Sequence, residues 1–138
     1  MIKRTLLLLL ILVSDPFATS REVVSEEIEE ISRARSPDGI VEAILTKSNF
    51  GATVDYVYKL YIVPTGATAL PDEPIVVADH VVDPNIAWRM PKFLTFSYGK
   101  ARIFNFTNFW QSKDVQNFSY VVEIRLIPTS DSYSLDTQ

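Results

Sequence analysis

Cysteine is absent from the 138 residues, and its absence excludes whole classes of chemistry. No disulfide can staple the fold, no thiolate can act as nucleophile or hold a soft metal, and no N-terminal thiol can carry a lipid, so packing alone must hold the chain together. Histidine occurs once, as His80, which excludes paired-histidine zinc motifs. Phosphate loop, dinucleotide fingerprint and nucleophile elbow are all missing. The acids Asp72, Glu73, Asp79 and Asp83 lack the spacing of a calcium loop. Neither a cofactor nor a metal is therefore expected. The longest apolar run, Leu6 to Val13, has 8 residues, whereas crossing a bilayer core takes about 20.

That short run is informative for what precedes it. Lys3 and Arg4 stand directly before it, and Ala18-Thr19-Ser20 offers small residues where a signal peptidase would cut. Residues 1–20 are expected to be a signal peptide or, if uncleaved, a short anchor. The protein is then exported, to the periplasm or beyond. Removing residues 1–20 takes away Lys3, Arg4 and Asp15 and moves the formal net charge from −4 to −5. An acidic protein has no general attraction for phosphate backbones, so nucleic acid is not an expected partner. Hydrophobic residues make up 47% and aromatic residues 12% of the chain, enough for a packed core and too much for general disorder.

Residues 21–35 form a separate polar zone. Val24, Ile28 and Ile31 fall at helical spacing, Thr19 and Glu22 suit a capping box, and acid precedes base along the segment. The spacing predicts a helical spacer, with disorder as the alternative because the apolar stripe is narrow. Ser36-Pro37-Asp38-Gly39 is a turn: proline presets φ, aspartate bonds nearby backbone, and glycine follows. Strands are predicted over 40–47, 54–63, 75–78 and 120–127. The strongest is 54–63, where Val54, Tyr56, Tyr58, Leu60 and Ile62 alternate with Asp55, Val57, Lys59, Tyr61 and Val63. Gly99-Lys100 suits a type II′ turn and predicts a hairpin pairing Tyr98 with Ala101, Phe96 with Ile103 and Leu94 with Asn105. In the final strand Tyr120, Val122, Ile124 and Leu126 face inward. The sum is an all-β domain over 36–128, of five or six antiparallel strands in a small sheet, sandwich or partly closed barrel. A flexible tail over 129–138 follows it.

Ser-Pro-Asp-Gly before a strand also resembles the start of a β-propeller blade, but a propeller needs at least about four such units of roughly 40 residues, which length excludes. More of the chain resembles a family of small uncharacterised bacterial exported β-rich proteins. The resemblance lies in Ser36-Pro37-Asp38-Gly39, Gly51-Ala52-Thr53, Tyr61-Ile62-Val63-Pro64, Trp88, Ala101-Arg102-Ile103-Phe104 and Asn108-Phe109-Trp110. It covers 36–127 in patches and implies an exported β-rich architecture; it brings no activity and no residue role.

Three features compete as sites. His80 lies between Asp79 and Asp83 and suits a metal ligand or general base; neighbours on a strand point to opposite faces, however, so Asp79 and His80 are expected to diverge, which leaves an exposed histidine after a strand. Phe104, Phe106, Phe109 and Trp110 form a dense aromatic cluster, with Tyr98 and Tyr120 as possible neighbours. It is a stacking platform or interface if exposed, and core packing is the expectation because these residues sit on or beside strands. Between Asp83 and Asp114 no acid occurs, while Arg89, Lys92, Lys100 and Arg102 do. They form a cationic face for an anionic membrane surface or acidic partner, or protected strand edges. Asn105-Phe106-Thr107 and Asn117-Phe118-Ser119 match glycosylation acceptors and read as chance matches. The leading expectation is a non-catalytic module that binds an envelope protein or glycan. A hydrolase of envelope sugars or peptides using two carboxylates about 5–10 Å apart is one alternative, and a structural protein anchored by its N-terminus is the other.

Overall fold

A computed structural model describes residues 26–51 and 54–129. The expected leader, the start of the spacer, its capping box and nearly all of the tail lie outside them. Among the described residues nine strands run: β1 (Glu27–Arg35), β2 (Val41–Asn49), β3 (Val57–Pro64), β4 (Val76–Val82), β5 (Asn85–Met90), β6 (Phe93–Tyr98), β7 (Lys100–Phe106), β8 (Phe109–Trp110) and β9 (Val122–Pro128). They form two sheets, ordered β1-β2-β3-β4-β7 and β5-β6-β9-β8. The protein is an all-β sandwich.

The alternation in β3 works as its sequence indicates. Tyr58, Leu60 and Ile62 face the core, joined there by Val41, Ala43 and Leu45 of β2. The second sheet contributes Leu94 and Phe96 of β6 and Val122 and Ile124 of β9 to the same apolar cluster. Two apolar faces closing on each other remove water from both, which is what stabilises a sandwich without disulfides. Trp88 ties the layers at one side, its indole N–H donating to the Ala34 carbonyl oxygen at 2.9 Å.

Four expectations need correction. The helical spacer is, from Glu27 onward, strand β1, in antiparallel register with β2 from Glu27↔Asn49 to Arg35↔Glu42. Its helical composition is overridden because a narrow apolar stripe gains little by docking as a helix, whereas the edge of β2 offers a full ladder of backbone partners. Pairing also places Arg33 2.6 Å and Arg35 3.6 Å from the Glu42 carboxylate. Second, the strand count exceeds five or six, because β1, β5 and β8 carry weak alternation. Third, Gly99-Lys100 does not close a hairpin. β6 has both edges occupied, by β5 and β9, while β7 pairs with β4 in the other sheet. A strand has two edges, so β6 has none left for β7; Gly99 donates instead to the Val82 carbonyl oxygen at 2.8 Å. Fourth, β6 and β9 are parallel, from Phe93↔Glu123 to Tyr98↔Pro128, so the sheets are not wholly antiparallel. The intervening β7 and β8 supply the crossover that a parallel pair requires.

The Ser36-Pro37-Asp38-Gly39 turn is confirmed, and it joins β1 to β2. Gly39 sits at φ 74°, in the left-handed region that costs glycine nothing. The Asp38 carboxylate accepts from Ser36 Oγ at 2.5 Å and from the Tyr120 hydroxyl at 2.6 Å. One turn therefore anchors Tyr120, 82 residues further along and just before β9.

Candidate functional site

The most connected set of charged side chains surrounds His80. In β4 the ladder with β7 slips between Asp79↔Arg102 and Val82↔Lys100, and His80 takes φ 51°. A bulge with left-handed backbone breaks the alternation and re-aims a side chain. Asp79 and His80 therefore do not diverge: Nδ1 lies 2.8 Å from Asp79 Oδ1. Nε2 lies 2.5 Å from Asp55 Oδ2, in the connection between β2 and β3. Asp79 is buried and also accepts from Arg102, Nε to Oδ1 at 2.8 Å and Nη2 to Oδ2 at 2.5 Å. That fork-to-fork contact with Arg102, aided by His80 and opposed by burial, holds the Asp79 carboxyl at about 2.

An ionised carboxylate only accepts, and a neutral imidazole carries one N–H. Both ring contacts are hydrogen bonds only when the ring is protonated. With both nitrogens turned onto aspartates, neither is presented to a substrate. The group is built as a tether between the β2–β3 connection and the β4–β7 ladder. Among the described residues, no three His, Asp or Glu side chains are placed to hold a metal ion.

The aromatic cluster is dispersed, and largely exposed. Phe104 is 56%, Phe109 50% and Phe106 37% exposed, so the expectation of core packing fails for all three. The physical reason is position: β7 is an edge strand and β8 has two residues, so neither has a neighbour on both sides to cover its outer side chains. Trp110 alone of the four packs against the core cluster, half-buried. Tyr98 and Tyr120 are core residues and take no part in the patch.

The cations divide into two groups. Lys100 and Arg102 lie on β7 beside an open depression of about 460 Å³ lined also by His80, Val81, Val82 and Ala101. The Arg102 guanidinium covers the Phe104 ring, 4.9 Å from its centroid. Arg89 and Lys92 lie in the other sheet, on β5 and in the turn after it; Lys92 stacks over Tyr120 at 5.0 Å. Arg89, Lys92 and Lys100 have no ion-pair partner among the described residues. Two further features escaped the sequence reading. Asp55 looked like an outer residue of a strand. Phe118 is 50% exposed on the turn Gln116–Phe118, where three successive non-glycine residues have positive φ; only geometry reveals that strain.

Carboxylates also meet at β1. Glu27 and Glu29 line a depression of about 380 Å³ with Lys47, Asn49 and Tyr56. Lys47 pairs in register with Glu29 and stacks over Tyr56 at 3.7 Å, so the acids there face a fixed cation.

The architecture defines a two-sheet β-sandwich. No family model, curated protein or solved structure matches the chain. Roles for its residues rest on the geometry described above.

Proposed function

We propose that this chain is a small exported β-sandwich that acts by contact, without catalysis, on a protein of the cell envelope. The observation carrying this reading is the exposure of Phe104 and Phe106 on β7 and of Phe109 on β8, strands consecutive in the chain that form edges of the two different sheets. Large apolar side chains held in water on a rigid sheet cost solvation free energy that core positions avoid, and they mark surfaces that bury them on association. Lys100 and the Arg102–Phe104 stack give that surface a cationic end. Side-chain polar atoms buried in the described residues all have partners, so the interior offers no unused polar group to a small ligand. The signal-like leader and the resemblance to exported β-rich proteins support the location. Carboxylate-pair hydrolysis finds less support, because Asp55 and Asp79 are bridged by His80 and Glu29 faces Lys47.

The test is cross-linking capture from an envelope fraction, run in parallel with the wild type and with Phe104→Ser/Phe106→Ser/Phe109→Ser. A defined set of proteins held by the wild type and released by the variant is expected. Identical recovery with both, or only background with both, refutes the reading.

A further inference from the structure

We infer that the open side of the sandwich is a groove for a basic segment of the partner protein, with Trp110 at its centre and the carboxylates of Glu73 and Asp114 on its rims. The inference rests on the contact reading above and names the chemistry of the partner that this side takes. One side of the sandwich is tied where Trp88 of β5 bonds to Ala34 of β1. On the other side the register of β4 with β3 ends at Leu60↔Val76, so residues 61–64 have a strand neighbour in β2 alone. The edge of the second sheet there is the two-residue β8. Two depressions lie along this side, of about 430 Å³ and about 260 Å³, and both are lined by Trp110 and Gln111. Ile62, Val63, Leu70 and Pro71 give the larger an apolar lining, and Ile75 and Phe109 line the smaller.

The wall beyond β8 is built in advance. The Ser112 carbonyl oxygen accepts from the Val115 amide at 3.2 Å and from the Phe118 amide at 3.0 Å, and Ser112 Oγ accepts from the Asp114 amide at 3.2 Å. Val115 is buried in the core cluster. Gln116, Asn117 and Phe118 then follow with positive φ. Such backbone persists without glycine only where its surroundings over-determine it, and it concentrates at ligand clamps. A preformed wall spares a partner the cost of ordering it.

The lining selects the ligand by charge. Glu73 lines the smaller depression and Asp114 the larger, and no lysine or arginine lines either; Lys113 belongs to the wall without lining it. Neither carboxylate has an ion-pair partner among the described residues. The other depressions are not free in this way. At β1 the glutamates share theirs with Lys47, and beside His80 the imidazole and the guanidinium are already bonded to aspartates. An anion in the groove meets two carboxylates with nothing to offset them. A cation pairs with those carboxylates and is attracted to the faces of tryptophan and phenylalanine. A segment crossing the Trp110–Gln111 ridge has one carboxylate on either side, which suits two basic side chains flanking an apolar one. The groove also continues the aromatic surface. β7 runs from Lys100 to Phe106, and Thr107 next in the chain lines the smaller depression. The cationic and anionic ends of the surface thus lie at opposite ends of one strand, a polarity that fixes the direction in which a partner docks.

The experiment uses the full chain and, as probe, the blocked tripeptide Arg-Leu-Arg. Titration is expected to shift the Trp110 indole N–H and the amides of residues 67–71 and 111–114 in NMR spectra, while blocked Glu-Leu-Glu and methyl glucoside leave them in place. Glu73→Gln/Asp114→Asn is expected to weaken binding about fivefold or more, as loss of two exposed ion pairs implies, with an unchanged circular dichroism spectrum. Glu27→Gln/Glu29→Gln removes the same charge elsewhere and is expected to leave binding within about twofold at physiological salt. No shift at Trp110, equal weakening by the two variants, or larger shifts with methyl glucoside than with Arg-Leu-Arg each overturns the inference. A groove indifferent to Arg-Leu-Arg, in a chain whose captured envelope proteins are still released by Phe104→Ser/Phe106→Ser/Phe109→Ser, overturns this inference alone and leaves the contact reading standing.

Discussion

Removing the hydroxyl of Tyr120 tests a bond that ties the first turn of the sandwich to the segment leading into its last strand. Tyr120 is 1% exposed, and its hydroxyl donates to Asp38 Oδ2 at 2.6 Å. Asp38 itself lies at the surface and also accepts from Ser36 and from the Ile40 amide. The two halves of the bond are therefore unequal. Tyr120→Phe removes a donor and leaves an acceptor that water can reach, so the cost falls at the low end for a charge-assisted bond, about 1.5 kcal/mol. Asp38→Ala strands a buried hydroxyl and frees Ser36 as well, so the cost approaches about 3 kcal/mol. With a urea m-value of about 1.5 kcal/mol/M, the midpoint drops by about 1 M in the first case and about 2 M in the second. The double variant should cost less than the two singles added, by about 1 kcal/mol, because both remove the same bond. Tyr120→Phe costing as much as Asp38→Ala, or additivity within about 0.3 kcal/mol, refutes the account.

The same bond predicts two pH limbs. Burial alone raises the Asp38 pKa, but hydrogen bonds from Ser36 and Tyr120 outweigh it and the net shift is downward. Its contribution to stability is present above the unfolded value of about 3.9 and is lost as pH falls through the lower folded value. Tyr120 moves the other way. Burial, and then the hydrogen bond to Asp38, push its hydroxyl up to about 12. Its contribution is present below the unfolded value of about 10 and is lost as pH rises through the folded value. Tyr120→Phe should flatten both limbs of a urea-midpoint profile. Part of the alkaline limb should survive through Tyr61, whose hydroxyl is also raised by burial.

Two further outcomes follow from burial and from the His80 tether. Leu60→Ala, at a position 0% exposed among core side chains, should cost about 2–5 kcal/mol, whereas Phe104→Ala should stay within about 0.5 kcal/mol; equal losses in urea melts would contradict the placement of Phe104 outside the core. Amides of residues 54–56 should exchange with deuterium faster in His80→Ala than in the wild type at one pH, because Asp55 then loses its link to the β4–β7 ladder; an unchanged rate rules out the tether.

The strands whose faces see opposite surroundings were legible from sequence. In β9 one face meets the core and the other meets water, so Val122 and Ile124 write the alternation directly, and in β3 Tyr58, Leu60 and Ile62 take the core face even though Tyr61 and Val63 on the other face are buried too. β1 was illegible for the converse reason. Most of its side chains are exposed on both faces, so burial left no period in Glu-Ile-Glu-Glu-Ile-Ser-Arg-Ala-Arg and helical composition prevailed. Partner choice was illegible for a different reason. The pattern around Gly99 records that two strands adjoin a turn; that β5 and β9 already occupy both edges of β6 depends on residues distant in sequence.

Both candidate features arise where a ladder breaks, which is why residue spacing did not expose them. Opposite β4, the residue Phe104 is skipped between Ile103↔Ala78 and Asn105↔Val77, and opposite β7 the residues His80 and Val81 are skipped between Asp79↔Arg102 and Val82↔Lys100. Each slip adds a residue on one strand, so the two largely compensate and the strands stay paired over their length. Between the slips, Asp79 and Arg102 remain in register and are locked by their paired hydrogen bonds. That lock fixes the short stretch from which His80 is aimed at Asp55 and on which Arg102 covers Phe104. Loss of the lock, by Arg102→Met, should therefore disturb both features at once: the Asp79 carboxyl should rise from about 2 toward the ordinary carboxylate range. Carbon-detected NMR titration would read that rise, and the Phe104 ring signals should shift in the same sample as the cation leaves its face. An Asp79 titration unmoved by the substitution would show that the two breaks in the β4–β7 ladder are independent, and that the tether and the aromatic edge share a strand without sharing a cause.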